Sequence, residues 1–361
     1  MRKWRAMTRR HFFGAGAGAA LAFAANPLPM GLNTYCLRAF RWNDRQLLEY
    51  AAGLKLDAIF LQDSLDPRAM DAAHWREVRE RAKSLGLHLE TGGGGIMPRD
   101  AGEIPARVAA IRKNIERSAA MGSPIVRCVI ASNRAALPPG PVEQHIETLV
   151  KMMREVRSQV IDAGLKIAFE VHKDLQSWEF KTLIEQVGRD CCGIYLDTGN
   201  PVYVFEDPLM TVEELAPYAL TVHLRDSVVY EHRRGIAVQW VPLGEGVVDF
   251  KAVLAAVRAK CPQCYVYIKP ITGRPPDILP YLEADFWKMY PKARASDLAR
   301  FLRLAKSGHP YERNMVVEDI VGRKPPSAEI EAALRWQQRE HMERSVEYAK
   351  KVLDLGVRWR A

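Results

Sequence analysis

Residues 166–172 read KIAFEVH, 193–200 GIYLDTGN, 220–226 LTVHLRD and 265–273 YVYIKPITG. Each is a short apolar run closed by a polar side chain, Glu170, Asp197, His223 and Lys269 in turn. Runs of this length bounded by turn residues read as buried strands, so the four closing residues sit at strand ends and could face one pocket. The first three are ligand types for a divalent cation. The fourth is a cation where another anionic ligand would be expected.

Outward from these four, the same punctuation continues toward the amino end. Candidate strands are 32–37, 58–62, 87–91, 125–130, 166–171, 193–197, 220–224 and 265–269. Amphipathic segments lie between them, such as 71–85, stopped by Gly86, and 142–163, stopped by Gly164. Strand and helix alternating eight times imply parallel strands, and eight such units close into a (β/α)8 TIM barrel. An open doubly wound sheet is disfavoured: no GxGxxG follows the first strand, and polar residues end several late strands rather than marking one crevice.

The expected organisation is one barrel domain over residues 25–361, with a loop and helix insertion after the eighth strand at 271–322 and a charged terminal helix at 328–353. The insertion carries Phe286-Trp287-Lys288-Met289-Tyr290 and a helical stretch at 295–306, which reads as a lid, an oligomer contact or wall packing. Gly92 to Gly95 follow the third strand without the Lys-Ser/Thr of a P-loop, so they are expected to form a flexible loop at the barrel mouth.

The chain has 361 residues, 48% hydrophobic content and a formal charge of +9. Arg2, Lys3, Arg5, Arg9 and Arg10 carry five of those charges, and without them the chain holds about +4, an ordinary surface. No nucleic-acid partner is implied. Thr8-Arg9-Arg10-His11-Phe12-Phe13 precedes a small, apolar stretch from Gly14 to Ala24, and Ala22-Phe23-Ala24 offers small residues for cleavage. Residues 1–24 therefore resemble a twin-arginine export signal, which implies the twin-arginine machinery as a partner and a periplasmic or secreted location. The six cysteines include Cys261-Pro-Gln-Cys264, a lone CxxC that suits a loop disulfide better than a structural zinc, while Cys36 and Cys128 read as buried strand thiols.

Four ordered motifs, Glu170 to Asp174, Leu196 to Asn200, Val222 to Asp226 and Leu243 to Phe250, resemble the late strands of the xylose-isomerase-like TIM barrels, a superfamily of sugar isomerases, epimerases, dehydratases and an endonuclease branch. The resemblance spans roughly residues 30 to 275. It implies Glu170, Asp197 and His223 as ligands of Mn²⁺, Mg²⁺ or Zn²⁺, with Glu170 also a proton-transfer group. The family's eighth-strand glutamate binds the metal and moves the second proton; Lys269 stands there instead, and its charge opposes a bound ion. Turned outward, it leaves a three-ligand site. Turned inward, it replaces the metal, binds a substrate carboxylate or phosphate, or acts as a Schiff-base nucleophile, a role that neighbouring carboxylates oppose by keeping it protonated.

His172, two residues beyond Glu170, and Arg225, two beyond His223, share a side with those residues and are candidate substrate contacts, as are Glu90 and Arg127 on the third and fourth strands. Trp240, Tyr203 and Trp178 offer apolar surfaces for a sugar, and Asn200 and Asp226 either contact substrate or cap turns. The implied activity is proton abstraction beside a carbonyl on a free sugar or sugar derivative, with Glu170 as base and a metal or Lys269 stabilising the enediolate. A lyase or carbon-glycoside-cleaving relative uses the same enolate logic. A non-catalytic carbohydrate-binding protein is the alternative that Lys269 favours. The endonuclease branch is disfavoured by the missing multi-metal histidine set and the modest mature charge.

Overall fold

The computed structural model describes residues 27–62, 66–313, 315–320 and 323–361. The leader expected at 1–24 lies outside them. Strand and helix alternate through β1 (Met30–Asn33), α1 (Asp44–Gly53), β2 (Ala58–Gln62), α2 (Ala72–Ser84), β3 (His88–Gly95), α3 (Ile104–Met121) and β4 (Ile125–Val129). The pattern continues through α4 (Val142–Asp162), β5 (Lys166–Glu170), α5 (Ser177–Val187), β6 (Cys192–Asp197), α6 (Pro208–Leu215) and β7 (Ala219–Leu224). A hairpin of β8 (Asp226–His232) and β9 (Gly235–Val241) then precedes α7 (Phe250–Lys260) and β10 (Val266–Ile268).

Eight of these strands close into a barrel in the order β1, β10, β7, β6, β5, β4, β3, β2. Every pairing within it is parallel. Alternate side chains point inward, and Ala58, Phe60, Ile125, Ala168, Tyr195 and Tyr267 pack together as the apolar filling of the barrel. The opposite faces of the strands bury Ile59, Val126, Ile167, Ile194, Val222 and Ile268 against the surrounding helices in a much larger apolar layer. The two-residue period therefore separates a helix-facing set from a barrel-facing set, and the latter turns polar toward the carboxyl ends.

Four expectations shift. The first strand ends at Asn33, whose side chain accepts from the Tyr35 amide and starts a 3-10 turn over Thr34–Phe40. Cys36 is thus buried in that turn rather than in a strand. The glycine run is strand, not loop: β3 continues through Gly95 beside β4, with a register irregularity between Gly92 and Gly95. A Cβ on Gly92 would stand 2.3 Å from Arg127 Cβ, so glycine leaves room for the arginine on the neighbouring strand here. The β8–β9 hairpin interrupts the strand-helix rhythm after β7, and Cys261 and Cys264, between α7 and β10, are buried rather than on an exposed loop.

Beyond β10 the chain adds β11 (Asp277–Leu279), which pairs antiparallel with β9, then α8 (Ala295–Ser307) and α9 (Ala328–Lys351). The aromatic insertion packs as wall: Phe286, Trp287, Tyr290 and Phe301 surround the Phe205 ring with centroids 5.0–6.0 Å away. Along α9, buried Gln337, Gln338, His341 and Ser345 reach Val317, Ala39, Thr272 and Leu243. Those bonds fasten the helix across both the first and the last barrel segments.

Candidate functional site

Parity fixes which side chains meet at the mouth. Ile125 and Arg127, Ala168 and Glu170, Tyr195 and Asp197, His223 and Arg225, and Tyr267 and Lys269 are two residues apart, so each pair shares the barrel-facing side of its strand. The first member of each pair lies one layer deeper than the second. The upper layer is a buried charge cluster. Lys269 Nζ donates to Glu170 Oε1 at 2.8 Å and to Asp197 Oδ2 at 3.0 Å. Arg127 Nε donates to the other Glu170 oxygen, and Arg225 reaches Asp197 Oδ2 at 3.0 Å and Asn200 Oδ1 at 3.0 Å. Three cations thus hold two carboxylates, all five side chains being under a tenth exposed.

The cluster rests on aromatic rings. Lys269 Nζ lies 4.9 Å and the Arg127 guanidinium carbon 5.9 Å from the Tyr195 centroid, and Arg225 lies 4.3 Å from that of Trp240. Glycine again makes room: a Cβ on Gly199 would stand 2.7–2.8 Å from three carbons of the Arg225 side chain. Asp226 anchors the adjoining segment by accepting from the amides of Ser227, Gly244, Gly246 and Val248, which accounts for the LGEGV motif. Burial nevertheless pushes its carboxyl up to about 7.

Charge and burial compete throughout the cluster. Burial favours the neutral form of Glu170, yet Arg127 and Lys269 outweigh it and hold that carboxyl well below its usual range. For Lys269, burial and then repulsion from Arg225 lower the ammonium against the pull of Glu170 and Asp197. The sequence reading had weighed the carboxylates alone and expected the opposite direction. His172 is pushed down to about 3, chiefly by burial, and is neutral near pH 7.

Above the cluster opens a cavity of 560 Å³. Arg127, Glu170, His172, Arg225 and Lys269 line it, with Trp240 and Tyr203 supplying apolar wall. Trp178 and Glu90 do not line it. Glu90 lies inside the barrel below the charged layer, in contact with His88, Thr221 and Tyr267, so it serves the filling and not the mouth. Burial raises its carboxyl. Sequence reasoning missed Lys173, which pairs with Asp277 at 3.0 Å over the Tyr203 and Trp240 rings, and Arg274, which follows the left-handed Gly273. Both lie beyond strand ends, where a two-residue period no longer predicts direction.

The three expected metal ligands are not gathered. His223 is in the lower layer, stacked between Tyr195 at 3.7 Å and Tyr267 at 4.7 Å, with Thr221 Oγ1 3.4 Å from Nε2. Burial, followed by repulsion from Lys269, drives its pKa well down. The ammonium of Lys269 stands between the two carboxylates, and each carboxylate already has an arginine partner. A divalent cation added there would face three fixed positive charges, so these residues do not fit one. Among the described residues, the His/Cys/Asp/Glu grouping with mutually close ligand atoms is Asp44, Asp66 and His74, within 4.8 Å of one another. It has the geometry of a candidate metal site, unconnected with the cavity lining.

A family model for the xylose isomerase-like TIM barrel matches residues 48–270, more than half of the chain. The chain belongs to that family. Two curated relatives are similar to it: the Escherichia coli K12 protein YihM, 28% identical over 99 residues, and 3-oxo-isoapionate decarboxylase of Pectobacterium atrosepticum, 21% identical over 243 residues. The matches cover 27% and 64% of this chain, and 30% and 81% of the relatives. Among solved structures, D-psicose 3-epimerase with D-fructose superposes at a TM-score of 0.56, with 17% identity over 76% of this chain and 96% of its own. The zinc-bound IolI protein superposes at 0.55, with 15% identity over 76% and 99%. These likenesses establish the fold, and the neighbours include epimerase and decarboxylase chemistry.

Proposed function

We propose that the protein carries out enolate chemistry on a sugar or sugar derivative, of the isomerase or epimerase kind, with Lys269 taking the electrostatic place of the metal. The observation that carries this is the ammonium bridging Glu170 and Asp197 on the cavity floor. An ammonium has three donors, and two are engaged by the carboxylates. The third is available to a substrate carbonyl oxygen, where it stabilises the negative charge that develops as a proton leaves the neighbouring carbon. Glu170 accepts that proton. It is a weak base while Arg127 and Lys269 both hold it, and it gains basicity as the ammonium turns toward the substrate oxygen.

A second reading, lyase chemistry, is favoured by the same depressed carboxyl. Cleavage of a carbon-carbon bond beside a carbonyl, as in loss of carbon dioxide from a 3-oxo acid, generates an enolate without a base, so the cations alone suffice. The likeness to a curated decarboxylase supports it. For localisation, the proposal remains export by the twin-arginine route. Incubating the protein with ketoses and keto acids in D₂O tests the chemistry. Deuterium should enter beside the carbonyl, and Glu170→Gln should reduce its rate by at least about a hundredfold, the usual range for a general base. Products of cleavage instead support the lyase reading. No exchange and no cleavage on compounds that bind would mean a carbohydrate-binding protein without catalysis.

A further inference from the structure

Counting charges around the cavity shows an excess that a neutral sugar would leave unanswered. Arg127, Arg225, Lys269, Lys173 and Arg274 line it. Facing them among the described residues are Glu170 and Asp277 in the lining and Asp197 just behind, so the five cations meet three carboxylates. His172 adds no charge near neutrality. Charges within a partly closed, ring-walled space are poorly screened, so the imbalance persists as a positive field directed at whatever enters.

Two guanidiniums carry the excess. Arg274 makes no ion pair with any described carboxylate; its guanidinium meets the Tyr35 side chain, and its Nε is buried without a hydrogen-bond partner. Its backbone carbonyl is fixed by Gln239 Nε2 at 2.7 Å, which holds the residue at the rim. Arg225 is 1% exposed and uses its two terminal nitrogens on Asn200 and Asp197, while its Nε also lacks a partner. A buried donor left unpaired is costly unless something supplies an acceptor. The two guanidiniums repel each other, and that repulsion adds to burial in lowering Arg274.

We infer that the cavity takes a carboxylate-bearing sugar derivative, its anionic group held by Arg274 and the unpaired edge of Arg225 while its carbonyl meets Lys269. This rests on the carbohydrate reading above. A carboxylate has two oxygens and can accept from both guanidiniums at once, answering the unpaired donors of Arg274 and Arg225 together. A phosphate shares the charge but is usually cradled by backbone amides converging at a turn or helix start, whereas the glycines that reach the cavity, Gly94 and Gly95, belong to extended strand β3 at its irregularity against β4. The carboxylate also leaves Glu170 and Asp197 in place, since it answers the surplus cations rather than competing for those already paired.

The test is a calorimetric binding panel on the full chain: hexoses and ketohexoses, their aldonates and uronates, and their 6-phosphates, at low and at 0.5 M salt. At least one sugar acid should bind ten or more times tighter than its neutral counterpart, and salt should weaken the acid selectively. Arg274→Met should remove most of that advantage, and Arg274→Lys should restore only part of it. Equal affinity for acid and neutral sugar, acid binding indifferent to Arg274→Met, tighter binding of the phosphates, or no binding by any member overturns the inference. Deuterium exchange run on the same panel separates the two proposals. Exchange confined to neutral ketoses overturns the anion site and leaves the enolate chemistry; selective acid binding without exchange or cleavage does the reverse.

Discussion

Lys269 decides what the two carboxylates can be. With three cations around two anions, removing a cation leaves Glu170 with Arg127 and Asp197 with Arg225, a balanced set; removing an anion leaves three cations around one carboxylate. Lys269→Met should therefore cost no more than about 2 kcal/mol in urea unfolding, whereas Glu170→Gln should cost about 3–5 kcal/mol, the range for stranding buried charge. The reverse order would mean that the ammonium, not the arginines, carries the cluster. The same charge logic predicts that Lys269→Glu raises Mn²⁺ affinity at least about tenfold, or ~1.4 kcal/mol, in calorimetric titration. No gain would show that something other than the ammonium keeps a divalent ion out. At this scale the sequence was partly legible: strand ends marked Glu170, Asp197 and Lys269, the two-residue period added Arg225, and Arg127 was named from its place in the fourth strand. It could not say that Arg225 rather than His223 is level with Glu170 and Asp197, because both share one strand face and only the stagger between strands sets which layer each joins.

Elements with a strong period were readable, and those held by polar contacts were not. Helices α2, α4 and α8 begin and end within about a residue of expectation because glycine or a cap marks their limits. The first strand and the glycine run were misread for opposite reasons. An Asn33 side chain ended one sooner than its apolar pattern suggested, and sheet pairing extended the other through residues with no strand propensity. Helix α9 was legible in extent, expected at 328–353 and found at Ala328–Lys351, but not in its attachment, where Leu334, Met342, Val346 and Ala349 lie beside buried polar side chains. His341 is the most pH-sensitive of these, lowered to about 4, first by burial and then by repulsion from Arg344 and Arg313. A folded pKa below the unfolded value of about 6.5 contributes stability that is complete above pH 6.5 and is lost as pH falls toward 4. His341→Gln removes this dependence. The stability difference between variant and parent should thus shift in the variant's favour by at most about 3 kcal/mol on acidification from pH 7 to 4, measured by thermal unfolding. A constant difference across that window would mean that His341 is not neutral in the folded helix.

Across the whole molecule, charge is segregated between the leader and the barrel. Five of the nine net positive charges fall before residue 11, with no acid among them, while the rest of the chain carries only about +4. The basic leader therefore owes its composition to something other than the barrel's surface or its cavity. Paired Arg9 and Arg10 before an apolar run of small residues fit a receptor-read address rather than an anchor, since that run, Gly14 to Ala24, is too short to span a bilayer as an ordinary helix. Replacing both arginines by lysine preserves every charge and removes only the guanidinium pair, so a change in destination cannot be assigned to net charge. The expected outcome is a folded protein retained in the cytoplasm, with its unfolding curve unchanged, because both positive charges are kept. Cell fractionation of the double variant checks this: undiminished delivery across the membrane would show that the paired arginines do not direct export.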